Sequence, residues 1–250
     1  MRRFLLPLVL ASALSAATLD AEYSLSYSIF PAIGTTTLHF ESGRGRYRIV
    51  AEAKLRGLAA VLAHHHTERH TSIGALDGQG RLIPERYETL RTMDDFRRER
   101  RYLFDRTHHD ILFEERTERR IKTKRFDPIK MRYIPTEQNT TARSRRIEPY
   151  DAENDLLSLY FNARPLLATL PPNTSVDLPA AGTIHGSVTI ERDMTPLHYT
   201  LFLDQDIFRS SKGEMAIETD ETFFIRKAVL KDVFLFGDLS VEREWLRQSP

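Results

Sequence analysis

Residues 22–29 read Glu-Tyr-Ser-Leu-Ser-Tyr-Ser-Ile, and this stretch decides the fold class. Apolar or aromatic side chains occupy every second position, at Tyr23, Leu25, Tyr27 and Ile29, with polar side chains between them. A period of two places the two sets on opposite faces of an extended chain, which is typical of a half-buried β-strand. We therefore expect the folded part of the chain to open with such a strand.

The same pattern continues along the chain, interrupted by short turns. Residues 35–40 are rich in β-branched side chains, residues 42–45 form a turn, and alternation resumes at Tyr47. Residues 77–80, Asp-Gly-Gln-Gly, indicate a hairpin because glycine tolerates the positive φ angles of tight turns. Further strands are predicted at residues 67–76, 85–92, 174–178, 183–192 and 197–203 and between residues 214 and 246. Strands joined by short connections favour an antiparallel meander.

The charged region 94–126 is compatible with two structures. Its sparse aromatic side chains fit strands, but residues 94–104 would also form a charged amphipathic helix. We interpret the region as strands because residues 107–110 resemble a turn and the flanking sequence is rich in β-formers.

Two segments break the strand pattern. Gly57–His66 has apolar side chains at helical spacing, which predicts a short helix lying on the sheet. Asp151–Ala163 is the clearest helix, with Asn154 or Asp155 as its cap and Pro165 preventing its continuation. The sequence therefore predicts a mainly β domain with one or two helices packed on the sheet.

Residues 1–17 have the order of a secretory signal peptide. Two arginines precede an apolar run over residues 4–14, and the small residues Ser15, Ala16 and Ala17 follow. The run is shorter than the roughly 20 residues of a membrane span. We expect cleavage after Ala17, or earlier after Ala13, and a single periplasmic domain over residues 18–250 without a transmembrane anchor.

Composition excludes several kinds of chemistry. The chain has no cysteine, which excludes disulfides, thiolate metal sites and cysteine nucleophiles. Thirty-six Lys and Arg residues nearly balance thirty-five Asp and Glu residues, but the charges are unevenly distributed. Residues 97–146 hold sixteen basic against eight acidic residues, a net charge of +8. Such segregation is relevant to the choice of partner.

The basic segment supplies the predicted ligand-binding residues, which are Arg98, Arg100, Tyr102, Phe104, Arg119 and Lys122. Cations interleaved with aromatic rings are typical of nucleic-acid surfaces, but export argues against a nucleic acid. Lipid phosphates, lipopolysaccharide and acidic glycans are the alternatives, because arginine binds phosphate and carboxylate groups in a bidentate manner. A purely structural interpretation is that Arg and Glu side chains pair across neighbouring strands.

A histidine cluster lies at residues 64–66 and 70. If the preceding helix extends through it, His66 and His70 lie one turn apart on one face and can share a Zn²⁺, Cu²⁺ or Ni²⁺ ion. The alternative is an exposed helix end that carries histidines near the negative end of the dipole. The adjacent glutamate of a zincin motif is missing.

Asn139 lies in the sequence Glu-Gln-Asn-Thr-Thr, which resembles an extended acidic glycosylation sequon in an exposed loop. It is therefore a candidate modification site.

No catalytic motif was found. The carboxylate pairs Asp94–Asp95, Glu114–Glu115 and Asp204–Asp206 fit a solvated surface in a chain that is 28% charged. Neither a Gly-x-Ser-x-Gly elbow nor a phosphate-binding glycine loop occurs. We expect neither catalytic residues nor a cofactor.

Four passages together resemble the domain-of-unknown-function-3108 family of exported bacterial proteins. They are the opening strand at Tyr23, Leu25 and Tyr27, the passage Leu82–Tyr87, the helix at Asp155–Tyr160 and the strand-turn-strand near Val229–Glu242. The resemblance implies an antiparallel periplasmic domain with one or two helices on the sheet, similar to the half-open barrels of lipoprotein carriers. The chain departs from this family in its arginine-rich middle.

These observations favour a non-enzymatic binding or carrier domain for an amphiphilic or anionic envelope component, namely a lipid or glycan. A structural or assembly partner of another envelope protein, acting through an exposed sheet edge, is the alternative. An envelope hydrolase or metal enzyme is the third hypothesis.

Overall fold

The computed structural model of the protein describes residues 16–27, 30–149, 152–183, 186–203, 213–233 and 237–249. The predicted signal peptide lies, up to residue 15, outside the described residues. Asp204 and Asp206 and the predicted start of the second helix at Asp151 also lie outside them.

The described residues form one large, mostly antiparallel sheet, which confirms the predicted mainly β fold. The strands of this part of the chain are β1 (Ala17–Tyr27), β2 (Phe30–Gly43), β3 (Arg46–Leu55), β4 (Thr67–Leu76), β5 (Leu82–Met93), β6 (Phe96–Asp105), β7 (Asp110–Asp127), β8 (Arg132–Pro149), β9 (Asn154–Asp155), β10 (Ser175–Ala181), β11 (Ser187–Arg192), β12 (His198–Phe202), β13 (Glu214–Thr219), β14 (Ile225–Val233) and β15 (Gly237–Ser249). Successive strands lie side by side, and β1 also pairs with β15. The sheet is not closed into a barrel, because β8 forms one edge and β9 the other.

The ambiguous region 94–126 is strand, as we predicted. β6 pairs with both β5 and β7 in antiparallel register, and residues 106–109 form the turn between β6 and β7. Alternation explains this outcome, since Tyr102 and Phe104 are buried on one face whereas the intervening side chains are more exposed.

Three short helices accompany the sheet in the described part of the chain: α1 (Gly57–Leu62), α2 (Leu156–Asn162) and α3 (Arg164–Thr169). α2 and α3 pack on one face of the sheet, which we call the inner face. Leu159 and Ala163 pack with β10 to β14, whereas Leu157 and Phe161 pack against the core of β1 to β5. Because one helix contacts strands from both halves of the meander, the sheet curves around it.

Side chains fix α2 at both ends. Asp155 is the cap, and its Oδ1 accepts hydrogen bonds from two backbone N–H groups of the first turn, at 2.8 and 2.9 Å. Ser158 Oγ accepts from the Asp155 N–H at 2.9 Å, which completes a capping box. Ser72 Oγ on β4 donates to the second carboxylate oxygen of Asp155 at 2.6 Å. At the other end, the Asn162 amide exchanges two hydrogen bonds with the backbone of Leu82.

α2 ends at Asn162, before Pro165, but a further helix that was not predicted follows it. α3 begins at Arg164, directly after α2, and Pro165 lies in its first turn. Proline is tolerated there because the first-turn N–H groups have no partner within the helix.

The predicted extension of the first helix to His66 was wrong. α1 ends at Leu62, and His64 and His65 have φ angles of 53° and 52°. Left-handed backbone at two consecutive residues ends a right-handed helix. His66 therefore precedes β4 instead of closing a helix.

One end of the sheet carries α1, and we call it the α1 end. β3 ends and β4 begins there, on either side of the helix. The turn between β5 and β6 lies at the same end, since the Asp94 N–H donates to the His64 carbonyl at 3.0 Å. β7 and β8 pass this turn and continue beyond it as a hairpin.

Candidate ligand-binding site

An apolar pocket of about 270 Å³ lies beside α1. Its lining includes Tyr27 and Ile33 of the sheet, Leu55 and Arg56 before the helix, and Ala59 and Leu62 of the helix. Arg56 is the one charged side chain among the lining residues in the described part of the chain. A pocket of this composition can hold an apolar group and present a cation to a polar end of the ligand.

The local sequence explains how the pocket forms. The Arg56 N–H donates to the Ile33 carbonyl at 2.7 Å, and Gly57 follows with φ 59°, which allows the chain to turn into α1. A helix of six residues is too short to be stable alone, so packing must hold it. Ala60 is buried, and Ala59 packs against a core cluster of Leu25, Ile33, Leu230, Val233 and Leu239.

α1 exposes large apolar side chains to solvent. Leu58 is 66% exposed, and Val61 and Leu62 are each 59% exposed. Leu58 and Leu62 line the pocket, whereas Val61 is not among the lining residues. Adjacent exposed apolar side chains beside an apolar pocket are typical of a binding surface.

A helix was predicted here, but the pocket was not. Leu58 and Leu62 fit the face of a helix that packs on a sheet. The overlooked signal is that residues 57–63, Gly-Leu-Ala-Ala-Val-Leu-Ala, contain no polar side chain, so that a helix here exposes apolar groups unless it is buried on all sides.

A polar cluster surrounds Glu68 on the inner face of the sheet. His66 Nε2 and His70 Nε2 lie 3.3 and 3.2 Å from the two carboxylate oxygens, and Arg91 Nε lies 3.4 Å from one of them. Burial alone would raise the pKa of Glu68, but the two histidines and Arg91 hold it well below its ordinary value. Because all three partners converge on one carboxylate, the cluster joins β4 to β5 instead of presenting a free reactive group.

Buried tyrosines continue the cluster into the core. His70 Nδ1 and the Tyr87 hydroxyl lie 2.6 Å apart, and the Tyr87 ring lies 5.7 Å from that of Tyr102. Burial raises the pKa of Tyr87 well above its ordinary value and that of Tyr102 to about 12. Both phenols therefore stay protonated at neutral pH and act as core residues.

Asp155 is the most deeply buried carboxylate among the described residues. It has no solvent-exposed surface, and Ser72 Oγ links it to the Tyr47 hydroxyl, 3.0 Å from that Oγ. Burial raises the pKa of Asp155 to about 6, although hydrogen bonds from Ser72 and the first turn of α2 favour the charged form. The network fastens α2 to β4.

The six residues that we predicted to bind a ligand do not form one site. Tyr102 and Phe104 are buried in the core with Phe113, and Arg100 Nε pairs with Glu115 at 2.6 Å. Arg98 lies on β6, as do Arg100, Tyr102 and Phe104. Arg119 and Lys122 lie on β7, near and beyond the end of β6. The aromatic side chains were misassigned because alternation in β6 turns the rings toward the core.

The outer face of β5 to β8 carries a ladder of ion pairs. Arg101 contacts Glu88 at 2.8 Å and Glu114 at 3.6 Å, and Arg145 contacts Glu114 at 3.6 Å. The ladder borders an open groove of about 910 Å³. The structural interpretation of the basic segment, cross-strand pairing of Arg and Glu, therefore applies to this part of the sheet.

His66 and His70 flank Glu68 along one stretch of backbone that is not helical. The helical spacing that motivated a shared metal ion is therefore absent. Among the described residues, no group of three or more histidine, aspartate or glutamate side chains is arranged to hold a metal ion. Metal binding by this pair stays a prediction.

Asn139 is exposed, as predicted, but it lies in a strand instead of a loop. It belongs to β8 and pairs with Arg120 of β7. Modification of Asn139 stays a prediction.

No helix in the described ranges combines the length and apolar character needed to cross a membrane. No family model matches the chain, and no curated protein matches it. The resemblance to the domain-of-unknown-function-3108 family accordingly stays a prediction.

Proposed function

We propose that the protein is a non-enzymatic binding domain for an amphiphilic, anionic component of the cell envelope, and that it acts in the periplasm. The pocket beside α1 takes the apolar part of the ligand, and Arg56 contacts its anionic group. The observation that carries the proposal is this apolar pocket with a single charged residue, an arginine, in its described lining.

The location of the pocket favours a ligand beside α1 over a ligand inside the curved sheet. α2 and α3 occupy the inner face, where their side chains pack with three core clusters. An apolar ligand therefore finds space at the α1 end and not between helices and sheet. Known ligand pockets range from about 300 to 1,000 Å³, so a pocket of about 270 Å³ suits part of one alkyl chain.

The expected binding free energy follows from how much of the alkyl chain the pocket buries. Each methylene group transferred from water into an apolar site contributes about 0.8 kcal/mol, so a short alkyl segment offsets the cost of association only when most of it is covered. The arginine adds selectivity between charged and neutral ligands of equal chain length.

Titration of the purified protein with an alkyl phosphate and with the alcohol of the same chain length tests the proposal. Ala59→Phe fills the pocket and is expected to weaken binding of both ligands by about tenfold. Val61→Phe adds the same ring to α1 at a residue that does not line the pocket, and should leave both affinities unchanged. Arg56→Gln should weaken binding of the phosphate alone.

Circular dichroism and thermal unfolding of each variant establish that the fold is retained. Absence of binding by the wild-type protein, or equal effects of Ala59→Phe and Val61→Phe in folded protein, would contradict the assignment.

A second function, assembly with another envelope protein, is favoured by the edge strand β8. β8 pairs with β7 along eighteen residues, and no strand covers its other side in the described part of the chain. An exposed edge of this length can accept an extended segment of a partner.

A photo-crosslinking residue at Thr141, with a control at Gln79 in the distant turn between β4 and β5, tests this alternative in cells. One recurrent protein adduct at Thr141 alone would support assembly, and identical patterns at both positions would reject it.

A further inference from the structure

The hairpin formed by β7 and β8 projects beyond the rest of the sheet. Arg119 is the last residue of β7 that pairs with β6, and the Arg120 N–H donates to the Asp95 carbonyl at 2.8 Å. From Ile121 onward, β7 pairs in the described structure with β8 alone. Seven further residues on each strand extend the hairpin by roughly 20 Å at about 3.3 Å per residue.

The end of this hairpin has a defined geometry. Asp127 Oδ1 accepts hydrogen bonds from the N–H groups of Ile129 and Lys130, at 2.9 and 3.2 Å. Met131 completes the turn with φ 47°. On one face, the rings of Phe126 and Tyr133 meet edge to face with centroids 5.4 Å apart. Residues 126–133, which we call the tip, therefore present a preformed surface.

The tip exposes four large apolar side chains. Ile129 is 92% exposed, Met131 76%, Tyr133 67% and Phe126 45%. They lie together at the end of the hairpin, beyond the residues of β7 that pair with β6. A cluster of this kind marks an interaction surface.

The tip and its stem are strongly basic. Residues 119–138 contain seven Lys and Arg residues and two acidic residues, Asp127 and Glu137, of which Glu137 lies opposite Lys122. Among the described residues, no carboxylate forms an ion pair with Lys122, Lys124, Arg125, Lys130 or Arg132. Arg101 and Arg145 of the outer-face ladder pair with carboxylates, whereas these five cations of the hairpin do not in the described structure.

We propose that the tip docks on the surface of an anionic lipid bilayer. The aliphatic side chains Ile129 and Met131 enter the boundary between headgroups and acyl chains, and the aromatic rings of Phe126 and Tyr133 lie at headgroup level. The surrounding cations contact lipid phosphates. Apolar and aromatic side chains framed by lysine and arginine are the composition of interfacial membrane anchors.

Two observations favour a bilayer over a nucleic acid. The most exposed side chains, Ile129 and Met131, are aliphatic and offer no ring on which a base can stack. The two rings of the tip contact each other edge to face instead of forming a row of open platforms. The inference does not depend on the pocket beside α1, although both features belong to the same end of the sheet.

Vesicle flotation tests the proposal with the purified protein. Wild-type protein is expected to float with vesicles of phosphatidylglycerol and phosphatidylethanolamine and not with vesicles of phosphatidylcholine. Ile129→Ser with Met131→Ser keeps every charge and should lower the partition coefficient by about tenfold. Val61→Ser removes an exposed apolar side chain of α1 that does not line the pocket and should leave the partition coefficient unchanged.

A second measurement reports insertion directly. Tyr133→Trp in a Trp245→Phe background should show a blue-shifted emission with the anionic vesicles and quenching by lipids brominated near the headgroup. Circular dichroism confirms that each variant is folded.

The proposal is overturned if the wild-type protein does not float with anionic vesicles at low salt, or if the variant with serines at the tip floats as well as wild type. Binding of a single-stranded oligonucleotide without vesicle binding would assign the hairpin to nucleic acid and also overturn it. Loss of flotation in the α1 variant with normal binding by the tip variant would place the membrane contact on α1.

Discussion

Replacement of Asp155 by asparagine should change how the stability of the protein depends on pH. The carboxyl has a pKa of about 6 in the folded protein against 3.8 as its ordinary value, a difference that corresponds to about 3 kcal/mol. Because the folded-state pKa is raised, the folded protein binds more protons than the unfolded chain between these values. The wild type therefore loses up to about 3 kcal/mol as pH rises from about 4 to about 6.

Asparagine keeps an oxygen to cap α2 and cannot ionise. The free energy of unfolding of Asp155→Asn, minus that of wild type, should increase by about 3 kcal/mol between pH 4 and pH 7, so that the variant becomes relatively more stable. Urea denaturation followed by circular dichroism at several pH values measures this difference. Asn162→Ala is the control, because it removes a non-titrating tie at the other end of α2 and should destabilise equally at every pH. A difference in unfolding free energy between wild type and Asp155→Asn that stays constant from pH 4 to pH 7 would contradict this prediction.

Three further predictions concern the fold. Glu68→Gln should destabilise the protein at pH 7 by about 1–3 kcal/mol. This loss of stability should shrink below about pH 4.5, because the lowered pKa of Glu68 stabilises the folded state only while the carboxyl is ionised in the unfolded chain. Urea denaturation at pH 7 and below pH 4.5 measures the loss. Gly182→Ala should lower the melting temperature more than Gly186→Ala, since both glycines have positive φ but only at Gly182 would the new Cβ lie 2.5 Å from the Tyr87 ring. Arg101→Gln should cost less than about 1 kcal/mol in chemical denaturation, because its ion pairs are exposed; a larger loss would mean that the outer-face ladder determines stability.

Strand periodicity predicted most of the sheet, because burial of one face requires an apolar side chain at every second residue. In β1, Leu19, Ala21, Tyr23 and Leu25 are buried in alternation, as the sequence indicates. The same rule applies in β6, where Tyr102 is buried although Arg100 and Arg101 directly precede it.

Helix ends were predicted less well, because they depend on single backbone angles and caps. The left-handed conformations of His64 and His65 leave no pattern in the sequence, so that α1 appeared longer than it is. Pro165 was interpreted only as the end of one helix, and α3 was missed, although proline is also suited to the first turn of a new helix.

The residues of the predicted ligand site lie in different environments for a reason of another kind. Counting charges along residues 97–146 cannot tell which arginines find carboxylates across the sheet. Register decides this: Arg101 lies opposite Glu88 on one side and Glu114 on the other, whereas Lys124 lies opposite Pro135. Arg101 is thus compensated by two carboxylates on the sheet, whereas Lys124 on the hairpin has no ion pair with a carboxylate among the described residues.

Ligand binding beside α1 can be tested by photo-labelling. The probe is a long-chain alkyl phosphate that carries a diazirine in its chain. After trypsin digestion, the main adduct should lie in the peptide Gly57–Arg69, and it should be lost in Ala59→Phe but kept in Val61→Phe. Labelling spread evenly over the chain, or a main adduct on any peptide that does not border the pocket, would contradict it.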